Sequence, residues 1–200
     1  MIRKVIAAFV KRWGSPRARQ SVWNSEYQTG KWTYDRNGQN DEAQEPIYKF
    51  LHKYGESASV LDLGCGSGMT ALEMKNTFRC YTGVDVSDVA IEKARSAISN
   101  EPDRIKKVQF FVSDISTFVP SGRYSVILFR ESIYYVPQLR IKGMLARYCS
   151  HLLPEGVFLV RICDRDRFRK IIDLLETELQ VIETYEGNDS KMSLLVCSPR

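Results

Sequence analysis

The stretch Asp62-Leu63-Gly64-Cys65-Gly66-Ser67-Gly68 constrains the fold of this chain more than any other. Its three alternating glycines follow the buried-strand pattern Val60-Leu61-Asp62-Leu63. Glycine lets a backbone turn tightly and approach a ligand closely, so a strand running into such a turn predicts a cofactor site at the strand end. The spacing alone leaves the cofactor open, because Gly66-Ser67-Gly68-Met69-Thr70-Ala71 also satisfies the Gly-x-Gly-x-x-Gly or -Ala pattern of a dinucleotide loop. Asp85 does not decide between them, since an acid about twenty residues on, at the end of the next strand, binds ribose hydroxyls in either class.

From Ser59 onward, short β-rich runs alternate with helical stretches, which predicts an α/β fold with a mostly parallel sheet and helices on both faces. Strands are expected at Ser59–Asp62, Cys80–Asp85, Val108–Val112, Ser125–Phe129 and Val157–Ile162, and helices at Thr70–Asn76, Asp88–Ser99, Gln138–Leu152 and Arg165–Leu175. The chain then turns to a terminal β-hairpin, Leu179–Tyr185 and Met192–Cys197 about Gly187-Asn188-Asp189. Two hundred residues at 44% apolar composition supply one core. That core is assigned to residues 46–200, and residues 1–45 to a basic helix followed by an aromatic cap or lid.

In the N-terminal segment, Ile2, Val5, Ile6, Phe9, Val10 and Trp13 fall on one stripe of a helix that Gly14-Ser15-Pro16 ends. Six of the cations, Arg3, Lys4, Lys11, Arg12, Arg17 and Arg19, precede the first acid, Glu26; with a net charge of +5 for the whole chain, the remainder is close to neutral. A nucleic-acid-binding body would carry a basic face of its own, so no nucleic-acid partner is expected. The basic helix has three readings: a peripheral membrane contact through residues 1–13, an organelle presequence, or a helix packed on its own domain. No apolar stretch approaches the roughly 18 to 20 residues of a membrane span, and Val5–Val10 is short for a signal-peptide core. Five widely spaced cysteines without a C-x-x-C, and only His52 and His151, disfavour disulfides and a metal site and suit a cytoplasmic protein.

Asp62 separates the cofactor classes. An acid two residues before Gly64 can meet an ammonium group, which S-adenosylmethionine has and NAD lacks. The run Val60–Gly68, with Gly83-Val84-Asp85-Val86-Ser87, Ser113-Asp114-Ile115 and Leu152-Leu153-Pro154-Glu155-Gly156-Val157, resembles the class I S-adenosylmethionine-dependent methyltransferases. The resemblance implies a Rossmann-like seven-stranded sheet in the order 3-2-1-4-5-7-6 with the last strand antiparallel. It further implies that Gly64 and Gly66 line the methionine end, Asp85 holds the ribose hydroxyls, Val86 packs on adenine, and Asp114 and Ile115 recognise the adenine edge. Cys65 is read as a small residue that fits the turn.

Ligands of open α/β sheets bind beyond the C-terminal strand ends, which points to Phe129-Arg130-Glu131-Ser132-Ile133-Tyr134-Tyr135-Val136-Pro137 as the acceptor segment. Glu131 is the candidate base or acceptor-ammonium partner, with Tyr134 or Tyr135 shaping the pocket. The alternative is that Glu131 pairs with Arg130 or another cation. Upstream, Trp23, Tyr27 and Trp32 form an aromatic segment that could cover the cofactor and give a cation–π contribution near the sulfonium. The segment is similar to the N-terminal caps of small-molecule methyltransferases, including bacterial enzymes that modify glycans or nodulation-type oligosaccharides. The leading expectation is methyl transfer to oxygen or nitrogen of a small molecule, such as a sugar or glycan precursor. The alternatives are an NAD(P)-dependent oxidoreductase and a non-catalytic partner subunit of methyltransferase-like fold.

Overall fold

The computed structural model describes residues 2–32, 46–55, 57–74, 78–187 and 191–200. Helix α1 (Ile2–Trp13) is followed by α2 (Pro16–Gln28) and α3 (Pro46–Gly55). Then come β1 (Ser59–Leu63), α4 (Met69–Glu73), β2 (Cys80–Asp85), α5 (Asp88–Ser99), α6 (Pro102–Ile105) and β3 (Val108–Val112). The second half holds β4 (Tyr124–Arg130), a 3-10 turn (Ile133–Tyr135), α7 (Gln138–Cys149), β5 (Leu152–Ile162), α8 (Arg169–Glu178), β6 (Leu179–Glu186) and β7 (Ser193–Pro199).

All seven strands form one sheet in the order β3-β2-β1-β4-β5-β7-β6, parallel except for β7, which runs antiparallel to both of its neighbours. This is the expected fold class. Strand order reverses between β1 and β4, and Asp62 of β1 stands level with Gly83 of β2 and Leu128 of β4. The crevice beyond the C-terminal ends of these strands is therefore where a ligand has room.

Period-two alternation divides the core between the two faces. Val60, Val126, Leu128, Val157, Leu159, Leu194 and Val196 pack with α3, α4 and α5 residues on one side. Leu61, Leu63, Ile127, Phe129, Phe158, Val160, Leu195 and Cys197 pack with α7 and α8 residues on the other. Each central strand is buried on both faces, which is why these segments read as continuous apolar runs.

Element boundaries differ from expectation for identifiable reasons. The helix placed at Arg165–Leu175 starts at Arg169, because Asp164 accepts the backbone N–H of Arg167 through its side chain and that of Phe168 through its carbonyl. That turn occupies the residues expected to begin the helix. The helix expected to reach Leu152 stops at Cys149, and Leu152 instead opens β5 opposite Tyr124. The helix expected over Thr70–Asn76 ends at Glu73; part of it, and part of the Gly187-Asn188-Asp189 turn, lie outside the described residues.

Helix α2 was not foreseen. Its apolar periodicity is weak, yet Ser15 caps it by accepting the Ala18 N–H and Pro16 takes its first position. The same Gly14-Ser15-Pro16 that ends α1 thus begins α2. Helix α1 packs on its own domain, but inversely to the usual amphipathic arrangement: Val5, Ile6, Phe9 and Trp13 are exposed whereas Lys11 is buried.

Phe129 joins the sheet to α7, stacking on Phe158 and meeting Tyr148 edge-on with ring centroids 6.1 Å apart. Truncating this fully buried ring in Phe129→Ala is expected to cost about 3–5 kcal/mol. Urea unfolding should show it as a lowered midpoint at an unchanged slope.

Candidate active site

The glycine-rich turn is held in shape by the end of β2. Gly64, Gly66 and Gly68 adopt φ values of 89°, 54° and 79°, in the left-handed region where a Cβ is disfavoured. The Val84 carbonyl accepts the N–H groups of Gly64 and Cys65, and the Asp85 carboxylate accepts the N–H of Gly66 at 3.0 Å and that of Ser87 at 2.9 Å. A side chain on Gly64 would collide with Cβ of Ser132 at 2.4 Å. One on Gly66 would meet the Tyr27 hydroxyl at 2.7 Å.

Two buried carboxyls face the turn. Burial raises both Asp62 and Asp85 from 3.8 to about 6. The Tyr81 hydrogen bond and the Arg130 charge oppose the rise at Asp62, and backbone N–H groups of Ser87, Gly66 and Val86 oppose it at Asp85. Each net displacement corresponds to roughly 3 kcal/mol against the charged form, what remains of the desolvation after these opposing contacts. Tyr81 donates to Oδ2 of Asp62, while the buried Oδ1 has no hydrogen-bond partner among the described residues. Arg130, at the tip of β4, is fixed by the Tyr48 hydroxyl at 2.8 Å and by Thr70 and Glu73 at 3.3 and 3.4 Å.

One cavity gathers most of the residues singled out in the sequence. Asp62, Gly64, Gly66, Asp85, Val86, Asp114, Ile115, Glu131, Tyr27 and Trp32 all line it. Tyr134 is the exception. The short turn Ile133–Tyr135 sends its neighbours to different sides, so Tyr135 lines the cavity while Tyr134 stacks on Phe168 at 4.1 Å and donates to Glu131 at 2.7 Å. Desolvation, reinforced by the nearby Glu131 charge, drives the Tyr134 hydroxyl far above its ordinary range, so it stays protonated. Tyr135 therefore replaces Tyr134 as the aromatic residue of the acceptor segment that faces the cavity.

Glu131 is heavily engaged. Its carboxylate pairs with Arg161, accepts the Cys163 backbone N–H at 2.9 Å and accepts the Tyr134 hydroxyl. The residue sits at φ 57°, a left-handed conformation that costs on the order of 1–3 kcal/mol outside glycine. Its partner is Arg161 on β5 rather than the adjacent Arg130. Asp114 is also paired: one oxygen accepts the Ser116 N–H at 2.9 Å and the other meets the buried Arg19 of α2. Arg19, Lys11 and Arg130 line the cavity as well. Arg19 and Lys11 could not be singled out from spacing, because cations near a chain start read as solvated charge until a tertiary partner is known. His151 Nδ1 donates to the Gly122 carbonyl at 2.9 Å, away from the cavity, and burial pushes the Cys65 thiol well up, so it stays protonated. Among the described residues no group of three His, Cys, Asp or Glu side chains is arranged to hold a metal ion.

A sequence profile of the methyltransferase domain matches residues 34–189. The chain belongs to the S-adenosylmethionine-dependent methyltransferase family. Among relatives, a 2-heptyl-1-hydroxyquinolin-4(1H)-one methyltransferase of Mycobacteroides abscessus is 27% identical over 65% of this chain and 57% of its own length. A dTDP-3-amino-3,6-dideoxy-alpha-D-glucopyranose N,N-dimethyltransferase of Streptomyces fradiae is 27% identical over 52% of this chain and 39% of its own. The chain spans about half the length of the curated relatives it matches. The N-methyltransferase NodS of Bradyrhizobium japonicum, solved with S-adenosylhomocysteine, superposes with a TM-score of 0.69 over 88% of this chain and 98% of that one at 16% identity, which establishes the shared fold.

The residues of this methyltransferase domain fit the family's cofactor, S-adenosylmethionine. The unpartnered Asp62 Oδ1 suits its ammonium group, Gly64 and Gly66 line the cavity where its methionine end would lie, and Asp85 stands where ribose hydroxyls would be held. Arg130 adds a cation on the same side for a carboxylate.

A charged Asp62 favours an ammonium and a protonated one does not. With its carboxyl at about 6, affinity for S-adenosylhomocysteine should fall as pH drops through 6, and titration calorimetry at pH 5 and 7.5 should show it. Asp62→Asn should bind more weakly at pH 7.5 and lose the part of that pH dependence that Asp62 contributes, leaving the part due to Asp85, whose carboxyl also lies at about 6.

Proposed function

We propose that the chain transfers a methyl group from S-adenosylmethionine to an oxygen or nitrogen of a small molecule, such as a sugar or glycan precursor. The observation that carries this reading is the single cavity in which the cofactor residues of β1, β2 and the segment after β3 meet aromatic side chains of α2 and of the segment after β4. The bound cofactor supplies an electrophilic methyl group, so the protein's work is to align an acceptor and exclude water. Trp23, Trp32 and Tyr135 wall part of the cavity and would exclude water there. Glu131, held by Arg161, keeps the acceptor segment folded against β5.

The dinucleotide reading of the turn has less support. A Cβ on Gly68 would meet Ala94 at 2.9 Å and Phe110 at 3.0 Å, so this glycine serves helix packing, and its face is not toward the cavity. The relatives named above include an enzyme of an amino sugar and one of a hydroxyquinolone, which supports a small-molecule acceptor. Incubation with methyl-labelled S-adenosylmethionine and a panel of amines, amino sugars and phenols should release S-adenosylhomocysteine with at least one class. Asp85→Ala should reduce cofactor affinity at least tenfold. A response to NAD(P)H alone would overturn the reading.

A peripheral membrane contact is also proposed for α1. Val5, Ile6, Phe9 and Trp13 are exposed on a helix whose flanking cations match an anionic surface. No helix among the described residues is long and apolar enough to cross a membrane. The chain should cosediment with phosphatidylglycerol-containing vesicles and far less with phosphatidylcholine alone. Phe9→Asp with Trp13→Asp should abolish this without changing thermal stability; retained binding would refute the contact.

A further inference from the structure

One aromatic wall of the cavity is already occupied, by a cation of the chain itself. Lys11 Nζ lies 3.8 Å from the centroid of the Trp23 ring, 5.5 Å from that of Tyr135 and 5.7 Å from that of Trp32. Trp23 and Tyr135 stand nearly perpendicular, 88° apart with centroids at 4.8 Å, so they form two walls of a box. Glu26 closes it: Oε2 accepts from Lys11 at 2.6 Å and from the Trp32 indole N–H at 2.7 Å, and Oε1 accepts from Lys31 at 2.7 Å.

Faces of electron-rich rings beside a carboxylate select an ammonium over a neutral group of the same size. Lysine is among the residues least often buried, and only such pairing makes its burial tolerable. Helix α1 leaves four large apolar side chains in water while inserting this one cation. The arrangement thus has the composition of an ammonium-binding box, three aromatic rings and a carboxylate about one cation.

Its position relates it to the chemistry. Trp23 and Tyr27 lie one helical turn apart on α2, their ring centroids separated by 6.5 Å. Tyr27 is the residue whose hydroxyl crowds Gly66 of the cofactor turn. Tyr135 comes from the segment after β4, where ligands of such sheets are bound. The box therefore adjoins the methionine end of the cofactor site on the acceptor side.

We propose that Trp23, Trp32, Tyr135 and Glu26 form the acceptor subsite of the methyltransferase, that its acceptor is a small-molecule amine bound as an ammonium, and that Lys11 is its intramolecular occupant. This inference rests on the methyltransferase reading and narrows it to nitrogen. In the reaction the acceptor ammonium first loses one proton to solvent, while Glu26, held below its ordinary range by its donors, stays charged. Its nitrogen lone pair then forms the N–CH₃ bond as the S–CH₃ bond breaks, and the positive charge passes from sulfur to nitrogen. S-adenosylhomocysteine leaves without the sulfonium charge. Desolvation in the box pulls the Lys11 ammonium below its ordinary range against the opposing Glu26 hydrogen bond, so the same surroundings would ease that proton loss in an acceptor.

Lys11→Ala empties the box. With S-adenosylhomocysteine present, calorimetry on the variant should show propylammonium binding at least tenfold tighter than to the unsubstituted chain, with no comparable gain for propanol. Adding Trp23→Ala should remove the gain. In the unsubstituted chain, where folding of a variant is not at issue, saturating propylammonium should raise the rate of Lys11 acetylation at least threefold, read by peptide mass spectrometry; propanol should not. Equal weak binding of both probes, or unchanged Lys11 labelling, overturns the acceptor subsite while S-adenosylhomocysteine binding leaves the methyltransferase reading standing. Loss of S-adenosylhomocysteine binding by the unsubstituted chain would overturn both.

Discussion

Two backbone N–H groups, those of Gly66 and Ser87, converge on the Asp85 carboxylate, and the rest of the site is positioned by that convergence. One bond fixes the turn after β1 and the other fixes the start of α5, so a single buried acid ties two adjacent strand ends together. The acid is raised by burial and lowered by these donors, and it remains oriented into the cavity. A rigid backbone cradle follows: Gly64 is pressed against Ser132, whose hydroxyl donates to the Leu63 carbonyl, and this sets the start of the acceptor segment. Geometry at the turn is thereby passed to Glu131 and Tyr135 without any flexible link.

The N-terminal helices are joined to this frame by charge. Arg19 of α2 pairs with Asp114 beyond β3, Lys93 of α5 donates to the Tyr27 carbonyl at 2.6 Å, and the Ser87 hydroxyl donates to Asn24 at 2.7 Å. Buried ion pairs contribute little net stability because desolvation offsets attraction, yet a mispaired arrangement would leave a bare charge inside. Their value here is register: α2 can sit in one way only, with Tyr27 over Gly66 and Trp23 against Tyr135. Residues of the segment 2–32 and of the domain after residue 45 thus line one cavity together.

The sheet was legible because its determinants are local. A buried strand such as Val60–Leu63 is apolar on both faces, a left-handed turn needs its glycines, and Asp88–Ser99 shows its helical period in the sequence. That Asp62, Gly64, Gly66 and Asp85 gather at one cavity was legible for the same reason, since all four stand at or just beyond strand ends. The acceptor half was less so. Whether Tyr134 or Tyr135 faces the cavity depends on a single 3-10 turn, and one residue of rotation exchanges them. Lys11 and Arg19 gain meaning only from partners such as Trp23, Asp114 and Tyr135, distant in the chain, which no periodicity encodes.

Helix α1 shows how one tertiary contact can reverse a sequence pattern. At about 100° per residue, Lys11 lies about 200° around the helix from Phe9, while Val5, Ile6 and Trp13 fall within about 60° of it. Burying the apolar stripe would place Lys11 in solvent, and inserting Lys11 places the stripe there; the aromatic box with Glu26 favours the second. Because the two faces are opposed, a bilayer under the stripe would leave the Lys11 contact intact instead of competing with it. The box would then lie one helix diameter, about 10 Å, above that surface.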